Sequence, residues 1–168
     1  YWHFMVEAKK LAYSDLLAYN ADPLFSDVPV EKLLSKSYAA TLCGRIDMDL
    51  ATAPSTTGGL DGGTIYLTTA DRWGNMVSLI HSVFSVYGSG AVIPPYGMML
   101  HNRGVGFSLD PTHPNIVAPH KRPFHSIIAG FVMRNGEPLM TFGNMGGSVQ
   151  PETHAQHMVN VIDNGMNV

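Results

Sequence analysis

The first part of the chain carries hydrophobic residues at three- and four-residue intervals, which is the spacing of one helix face. These residues are Met5, Ala8, Ala12, Leu16 and Tyr19. The pattern predicts a helix over residues 2–19. A second helix, anchored by a proline, is predicted from Val30 to Arg45. Residues 46–63 are predicted to form a loop, because Gly, Ser, Thr and Asp dominate their composition.

From residue 64 onwards the pattern becomes an alternation of apolar and polar residues, which is typical of strands. The predicted strands are residues 64–71, 75–85, 126–133 and 137–144. A final helix is predicted from Pro151 to Asn164, because a proline suits its first turn and Gly165 suits its end. Helices, then sheet, then a helix predict a layered α+β domain rather than alternating βαβ units.

The turn of the first predicted hairpin sets its register. A three-residue turn that ends at Gly74 pairs Asp71 with Asn75, and this places Thr64 opposite Ser82. A two-residue turn would shift that pairing. Opposed residues point to the same face of the sheet. One face then carries Thr64, Tyr66, Thr68, Ser78, Ile80 and Ser82. The other face, which we expect to form the core, carries Ile65, Leu67, Thr69, Val77, Leu79 and His81.

Composition excludes several classes of protein. The 168 residues carry a formal charge of −3 and only 14% are charged, so the dense basic stripe of a nucleic-acid-binding protein is absent. With 45% hydrophobic residues, the chain is not a disordered tail. The lone Cys43 excludes an internal disulfide framework and a cysteine-ligated zinc site. No apolar run approaches the roughly 18 residues of a membrane span, so we expect neither nucleic acid nor membrane as a partner.

The start of the chain and its last histidines carry two further expectations. Tyr1 opens an uncapped helix without a signal sequence, which favours a piece of a longer protein and leaves the compartment open, with the cytoplasm slightly favoured. His154 and His157 could share a helix face, but no third ligand lies nearby in the sequence. We therefore expect a packing or surface role for them, and we predict no metal and no cofactor.

The junction between Gly63 and Thr64 is the first candidate for chemistry. A threonine that becomes an N-terminus holds a nucleophile and a base in one residue, because its α-amine, with an ordinary pKa of about 7.7–8.0, can take the hydroxyl proton. The preceding glycines allow the backbone geometry in which that hydroxyl attacks its own upstream carbonyl. A plain loop entering a strand would have the same sequence. Thr68 is a poorer candidate, because its amide belongs to the middle of a strand.

A glycine-rich turn between a predicted strand and the last helix is the second candidate. Its sequence is Gly143-Asn144-Met145-Gly146-Gly147-Ser148. Adjacent backbone N–H groups that no side chain obstructs, close to a helix N-terminus, are suited to stabilising an oxyanion. The alternative is a strand-to-helix turn that simply needs positive φ angles.

Together these segments resemble the γ-glutamyltranspeptidase family of N-terminal-nucleophile hydrolases, through almost the whole chain and most densely from Thr64 onwards. The resemblance rests on Asp71-Arg-Trp-Gly-Asn-Met-Val-Ser78, Tyr87-Gly-Ser-Gly90, His101-Asn-Arg103, Pro119-His-Lys-Arg-Pro123, Gly143-Asn-Met-Gly-Gly147 and Asn160-Val-Ile-Asp-Asn-Gly-Met-Asn167. The order and spacing of these motifs together are specific, whereas no single motif is.

This resemblance implies a fold, a processing step and a catalytic apparatus. The fold would be a four-layer αββα sandwich, and a precursor would cleave itself at Gly63–Thr64. Thr64 would be the nucleophile, and Ser82 would replace a second threonine that hydrogen-bonds to it. Gly146 and Gly147 would be the oxyanion donors.

Several positions depart from the pattern of typical transpeptidases, in which an amide and acidic side chains meet the α-amino group of a γ-glutamyl substrate. The matching positions are Phe84, Arg103 and Gly106, and none of them can accept a hydrogen bond from an ammonium group. A serine pair that binds the α-carboxylate is matched by His125 and Ser126. Gaining an arginine while losing acceptors favours an anionic group without a nearby amine. The sequence thus looks more like the branch with oxamate amidohydrolase and glutaryl-type acylases.

The resemblance also divides the chain and defines two hypotheses. Residues 1–63 would be the C-terminal end of a large subunit and residues 64–168 the N-terminal part of a small catalytic subunit, with the remainder of both as partners. Tyr87, in the second motif, is a further candidate substrate contact. The first hypothesis is an amidohydrolase or acyltransferase that takes a small-molecule amide and passes its acyl group to water or an amine. The alternative is a non-catalytic, unprocessed or truncated relative with a structural or binding role.

Overall fold

The computed structural model describes residues 1–53 and 62–167. The described residues form two compact units. The first unit contains residues 1–53 and 104–125, and the second contains residues 62–103 and 126–167. Within these ranges, no helix combines the length and the apolar character needed to cross a bilayer.

The first unit is built around three helices, α1 (Trp2–Tyr19), α2 (Val30–Leu33) and α3 (Lys36–Cys43). The first helix agrees with the prediction from periodicity. The prediction of one continuous second helix was wrong, because the chain breaks at Ser35. The Ser35 side chain accepts a hydrogen bond from the backbone N–H of Tyr38 at 3.2 Å and so caps a new helix.

A buried carboxylate holds the segment after these helices against α1. Glu7 is 2% exposed, and its carboxylate accepts hydrogen bonds from Lys10 Nζ at 2.6 Å and from Thr52 Oγ1 at 2.5 Å. These bonds, first from Lys10 and then from Thr52, lower the pKa of Glu7 from 4.5 to about 2. The described part of the predicted loop, up to residue 53, is therefore anchored, while residues 54–61 lie outside the described residues.

A second ion pair in this unit fixes the proline-rich motif that ends at Pro123. Asp22 is 4% exposed and accepts from both the backbone N–H and the guanidinium of Arg122, at 2.9 and 2.8 Å. These bonds hold the pKa of the Asp22 carboxyl well below its usual range. The arginine of this motif is thus engaged with a structural carboxylate.

The second unit consists of antiparallel hairpins followed by a helix. The paired strands are β1 (Gly62–Ala70) with β2 (Met76–Ser85), β3 (Val92–Ile93) with β4 (Met98–Met99), and β5 (Gly130–Arg134) with β6 (Glu137–Phe142). The helix α4 (Gln150–Met158) continues as a π-helical segment, Val159–Asp163, and Gly165 then has a φ of 64°. The α+β class and the final helix agree with the predictions from the pattern.

Two strand starts differ from the predictions by two residues or more. Strand β1 begins at Gly62, two residues before the predicted start at Thr64. Strand β5 begins at Gly130, four residues after the predicted start at Ser126. The Phe142 ring lies so close to Gly130 that a side chain at this position would collide with it. Pairing with β6 therefore begins at a residue that has no side chain.

The predicted register of the first hairpin is confirmed. The backbone N–H of Asp71 donates to the carbonyl of Asn75 at 3.0 Å, Gly74 has a φ of 86°, and Thr64 pairs with Ser82. The regular pairing breaks between Gly63 and Thr64, where a β-bulge lies.

Among the described residues, the polar face of this hairpin is the packed one, whereas the apolar face that we expected to form the core is exposed. The polar face is covered by the β5–β6 hairpin, because Ser78 Oγ donates to the carbonyl of Gly130 at 2.9 Å and Thr68 bonds to Thr141. On the opposite face, Ile65 is 61% exposed. Hydroxyl groups that find hydrogen-bond partners on the neighbouring hairpin decide the packing here.

Candidate active site

Thr64 is a buried residue at an irregular point of β1. Only 3% of it is exposed, and its Oγ1 donates a hydrogen bond to Ser82 Oγ at 3.0 Å. The backbone N–H of Phe84 donates to the same Ser82 oxygen at 3.0 Å. Ser82 Oγ therefore accepts twice, which uses both of its lone pairs. The hydroxyl of Thr64 is held in one orientation directly after the bulge.

The bulge places the Gly63–Thr64 peptide bond opposite strained backbone. Gly63 pairs with Phe84 while Thr64 pairs with Ser82, so Val83 is the extra residue of β2. Phe84 has a φ of 78°, which is unusual for a bulky side chain and costs about 1–3 kcal/mol. Such strain concentrates at functional sites because the surrounding structure must enforce it.

The motif that begins at Tyr87 is a tight turn after β2. Tyr87 has a φ of 62° and Gly88 a φ of 53°. A side chain at Gly88 would collide with the carbonyl oxygen of Leu100, to which the backbone N–H of Ser89 donates at 2.9 Å. Tyr87 itself is 73% exposed. The glycine of this motif is thus explained by close backbone approach, and the tyrosine ring is free to contact another group.

The glycine-rich turn approaches the face of β1 that carries Thr64. A side chain at Gly143 would collide with the ring of Tyr66, which lies two residues from Thr64 on the same face. Gly146 and Gly147 have φ angles of 129° and 57° and precede α4. These angles favour glycine, so the two backbone N–H groups are presented without side chains. The glycine-rich turn and strand β1 therefore contact each other at Gly143 and Tyr66.

Arg103 is a buried cation with no anionic partner among the residues that the structure describes. It is 2% exposed, and neither Nη1 nor Nη2 has a hydrogen-bond partner among the described residues. Its guanidinium carbon lies 5.2 Å from the centroid of the Phe84 ring, a cation–π contact. Burial lowers the pKa of the Arg103 guanidinium. A buried charge in this state is stabilised by binding an anion.

The predicted site residues are divided between the two units. The second unit contains Thr64, Ser82, Phe84, Tyr87, Arg103, Ser126, Gly146 and Gly147, and the first contains Gly106 and His125. Contacts join Thr64 to Ser82, Ser82 to Phe84, and Phe84 to Arg103.

The remaining predicted residues have their own surroundings. Within the first unit, Gly106 lies against Phe124, and the exposed His125 ring bonds through Nδ1 to the carbonyl of Pro123 at 2.8 Å. In the second unit, Ser126 is buried at 9% exposure.

Two polar residues of α4 were not predicted to be part of the site's surroundings. Gln150 is fully buried, and His154 is 7% exposed with its ring 4.8 Å from that of Phe142. Burial, and then the neighbouring His157, lower the pKa of His154. The packing interpretation of His154 agrees with this position. Gln150 gave no sequence signal beyond its place directly after the glycine turn.

No group of three or more His, Cys, Asp or Glu side chains within residues 1–53 and 62–167 is arranged to hold a metal ion.

A solved acylase has the same fold. The crystal structure of cephalosporin acylase from Bacillus halodurans superposes with a TM-score of 0.86 at 44% sequence identity, over 99% of this chain and 30% of that chain. The chain thus has the fold of part of a solved cephalosporin acylase.

The chain belongs to the γ-glutamyltranspeptidase family, whose family model matches residues 1–168. It is 39% identical over 166 residues to the glutathione hydrolase-like YwrD proenzyme of Bacillus subtilis, covering 99% of this chain and 31% of that protein. It is also 39% identical over 153 residues to the oxamate amidohydrolase proenzyme of Klebsiella pneumoniae, covering 91% of this chain and 29% of that protein. The chain therefore spans less than a third of the length of these relatives.

Proposed function

We propose that the whole protein is an autoprocessed amidohydrolase or acyltransferase whose nucleophile is Thr64. The observation that carries this proposal is the buried Thr64 hydroxyl, which is bonded to Ser82 and placed one residue after Gly63 at a β-bulge. Relatives that are named as proenzymes, among them the oxamate amidohydrolase, support a processing step.

The processing step consists of an acyl shift followed by hydrolysis. Thr64 Oγ1 attacks the carbonyl carbon of Gly63, the new C–O bond replaces the C–N bond to Thr64, and the hydroxyl proton ends on the liberated amine. Water then hydrolyses the ester, which returns the hydroxyl to Thr64 and leaves a carboxylate on Gly63. The irregular backbone at this bond supports the first step, because a regular strand would hold its amide in the ladder.

Turnover uses the same hydroxyl with the freed amine as its base. The Thr64 amine takes the hydroxyl proton while Oγ1 attacks the amide carbonyl of the substrate. The backbone N–H groups of Gly146 and Gly147 stabilise the oxyanion of the tetrahedral intermediate. The amine leaving group takes the proton, and water or a second amine then attacks the acyl-enzyme and releases the acyl group.

The acyl group is proposed to carry a carboxylate that binds Arg103. Both terminal nitrogens of this buried guanidinium lack partners among the described residues, and a carboxylate can accept from both at once. Phe84, which lies against it, offers no acceptor for an ammonium group. This favours a dicarboxylic acyl group, such as glutaryl or oxamate-type acyl, over a γ-glutamyl group with its α-amine.

The remainder of a large and a small subunit is proposed to complete the enzyme. The apolar face of the β1–β2 hairpin, with Ile65, Leu67, Val77 and Leu79 between 46% and 61% exposed, is where we place the covering layer of a four-layer αββα sandwich. Burial of these side chains is favourable at about 25 cal/mol per Å², which supports a covering layer at this face.

The substrate class is tested with the processed whole protein. Hydrolysis of γ-glutamyl and glutaryl amides with one shared leaving group, and of oxamate, is measured side by side. The proposal predicts that the glutaryl amide or oxamate is cleaved with the higher kcat/KM. A preference for the γ-glutamyl amide would contradict the proposed role of Arg103, and no hydrolysis of any of them would favour the non-catalytic alternative.

A further inference from the structure

Gln150 occupies a position where a long polar side chain is unusual. It is the first residue of α4, it follows the 3₁₀ turn Gly147–Val149, and none of its surface is exposed. Residues of this type are rarely fully buried unless they are hydrogen-bonded.

Two hydrogen bonds connect Gln150 to two different parts of the second unit. Its backbone N–H donates to the carbonyl of Gly147. Its side-chain Oε1 accepts from the backbone N–H of Ile128 at 3.1 Å. The orientation of the amide is unambiguous here, because a backbone N–H requires an acceptor.

The two connected parts are both elements of the proposed site. Gly147 is one of the proposed oxyanion donors. Ile128 lies two residues after Ser126, the buried candidate for carboxylate binding. Residues 126–129 form neither helix nor strand. The Gln150 side chain therefore supplies a hydrogen-bond acceptor that a neighbouring strand would otherwise provide.

Packing alone does not account for a glutamine at this position. Its Nε2 has no hydrogen-bond partner among the described residues. An unpaired buried donor is unfavourable, and a methionine of similar length would fill the same space without it. The part of the side chain that the structure uses is its acceptor oxygen.

We propose that Gln150 is a positioning residue that fixes the segment carrying Ser126 relative to the oxyanion turn at Gly147. This inference rests on the proposed function for its effect on catalysis, whereas the coupling between the two segments is a property of the fold. Gln150 contacts no reacting atom and acts only through the bond of its side-chain oxygen to Ile128 and the bond of its backbone N–H to Gly147.

The experiment compares Gln150→Met with Gln156→Met in the processed whole protein. Gln156 is a matched control, because it lies on the same helix and its amide donates to Glu152 within that helix, at 3.3 Å. Three quantities are measured: thermal unfolding, kcat and KM for a glutaryl amide, and amide hydrogen exchange of residues 126–129 and 144–149.

For Gln150→Met we expect faster exchange in both segments and a fall in kcat/KM of about three- to tenfold, the loss that one hydrogen bond produces. KM rises and kcat falls together, while the unfolding temperature changes little. Gln156→Met leaves all of these unchanged. Unchanged exchange, or a lower unfolding temperature with unchanged kcat and KM, would overturn the proposal.

Failure of the positioning role is distinguishable from failure of the proposed function. If exchange quickens in both segments but the wild-type protein cleaves no amide, the coupling stands and the proposed function is wrong. If Gln150→Met does not fold, hydrogen exchange of the Ile128 amide in the wild-type protein tests the proposal. The Ile128 amide must then be as protected as the amides of β5, and rapid exchange there would overturn the proposal.

Discussion

Arg103→Met is expected to weaken substrate binding without lowering the stability of the fold. The arginine is 2% exposed, its two terminal nitrogens lack partners among the described residues, and its guanidinium lies 5.2 Å from the centroid of the Phe84 ring. Within the described ranges no acceptor replaces the water that burial removes, so this cation destabilises the fold when no anion is bound. A carboxylate would supply both missing hydrogen bonds.

The magnitudes follow from these contacts. Two unpaired donors at about 1–3 kcal/mol each outweigh the roughly 0.5–2 kcal/mol of the cation–π contact. The free energy of unfolding should therefore stay unchanged or rise by about 1–4 kcal/mol in Arg103→Met. Removing one partner of a buried charge pair costs about 2–5 kcal/mol of binding. This corresponds to a loss of about 30-fold to 5,000-fold in kcat/KM for an acyl donor that carries a carboxylate.

The assay uses two amides with the same leaving group, one with a free terminal carboxylate on its acyl group and one with that carboxylate esterified. Arg72→Met is the matched control, because Arg72 also lies against an aromatic ring, at 5.1 Å from Trp73, but is exposed. Arg103→Met should lose activity only on the free acid, and Arg72→Met on neither. A lower unfolding temperature with an unchanged preference between the two amides would refute this reasoning.

Two further predictions concern the hydroxyl partner of Thr64 and the carboxylate anchor of α1. Ser82→Ala removes the acceptor of the Thr64 hydroxyl and should slow both scission and turnover about tenfold or more, whereas Ser82→Thr keeps the hydroxyl and should retain both rates. Equal rates in Ser82→Ala and wild type would contradict this. Because the pKa of Glu7 is lowered from 4.5 to about 2, its carboxylate stabilises the fold above pH 4.5, and this contribution is lost as the pH falls towards 2. Glu7→Gln should therefore flatten the dependence of the unfolding temperature on pH in that window, and an unchanged dependence would count against the anchor.

Local patterns predicted the elements whose formation is itself local. The hydrophobic spacing of α1 and the glycine at the end of the first hairpin turn are sufficient for helix and register, because 3.6-residue periodicity and turn geometry act over a few residues. The pairing of Thr64 with Ser82 followed from that turn alone. The turn at Gly146 and Gly147 could be predicted from its glycines, because the φ angles that it requires favour glycine.

Features that depend on distant partners could not be predicted in this way. The polar face of the β1–β2 hairpin is inward because Ser78 and Thr68 find partners on another hairpin, and no pattern within β1 or β2 reports that partner. The hydrogen-bond partner of the buried Gln150 side chain is likewise distant, because Ile128 lies 22 residues earlier. Ser35 shows that prediction from a local pattern can also fail, because the capping hydrogen bond of its side chain competes with continuation of the helix.

The Thr64 hydroxyl is proposed to cleave its own N-terminal peptide bond and then to serve as the nucleophile. Mass spectrometry of the denatured whole protein, as wild type and as Thr64→Ala, tests this claim. The wild type should give two polypeptides, the second beginning with Thr64, and the variant one intact chain without amidase activity. Cleavage at the same bond in Thr64→Ala, or full activity of an uncleaved wild type, would contradict the claim.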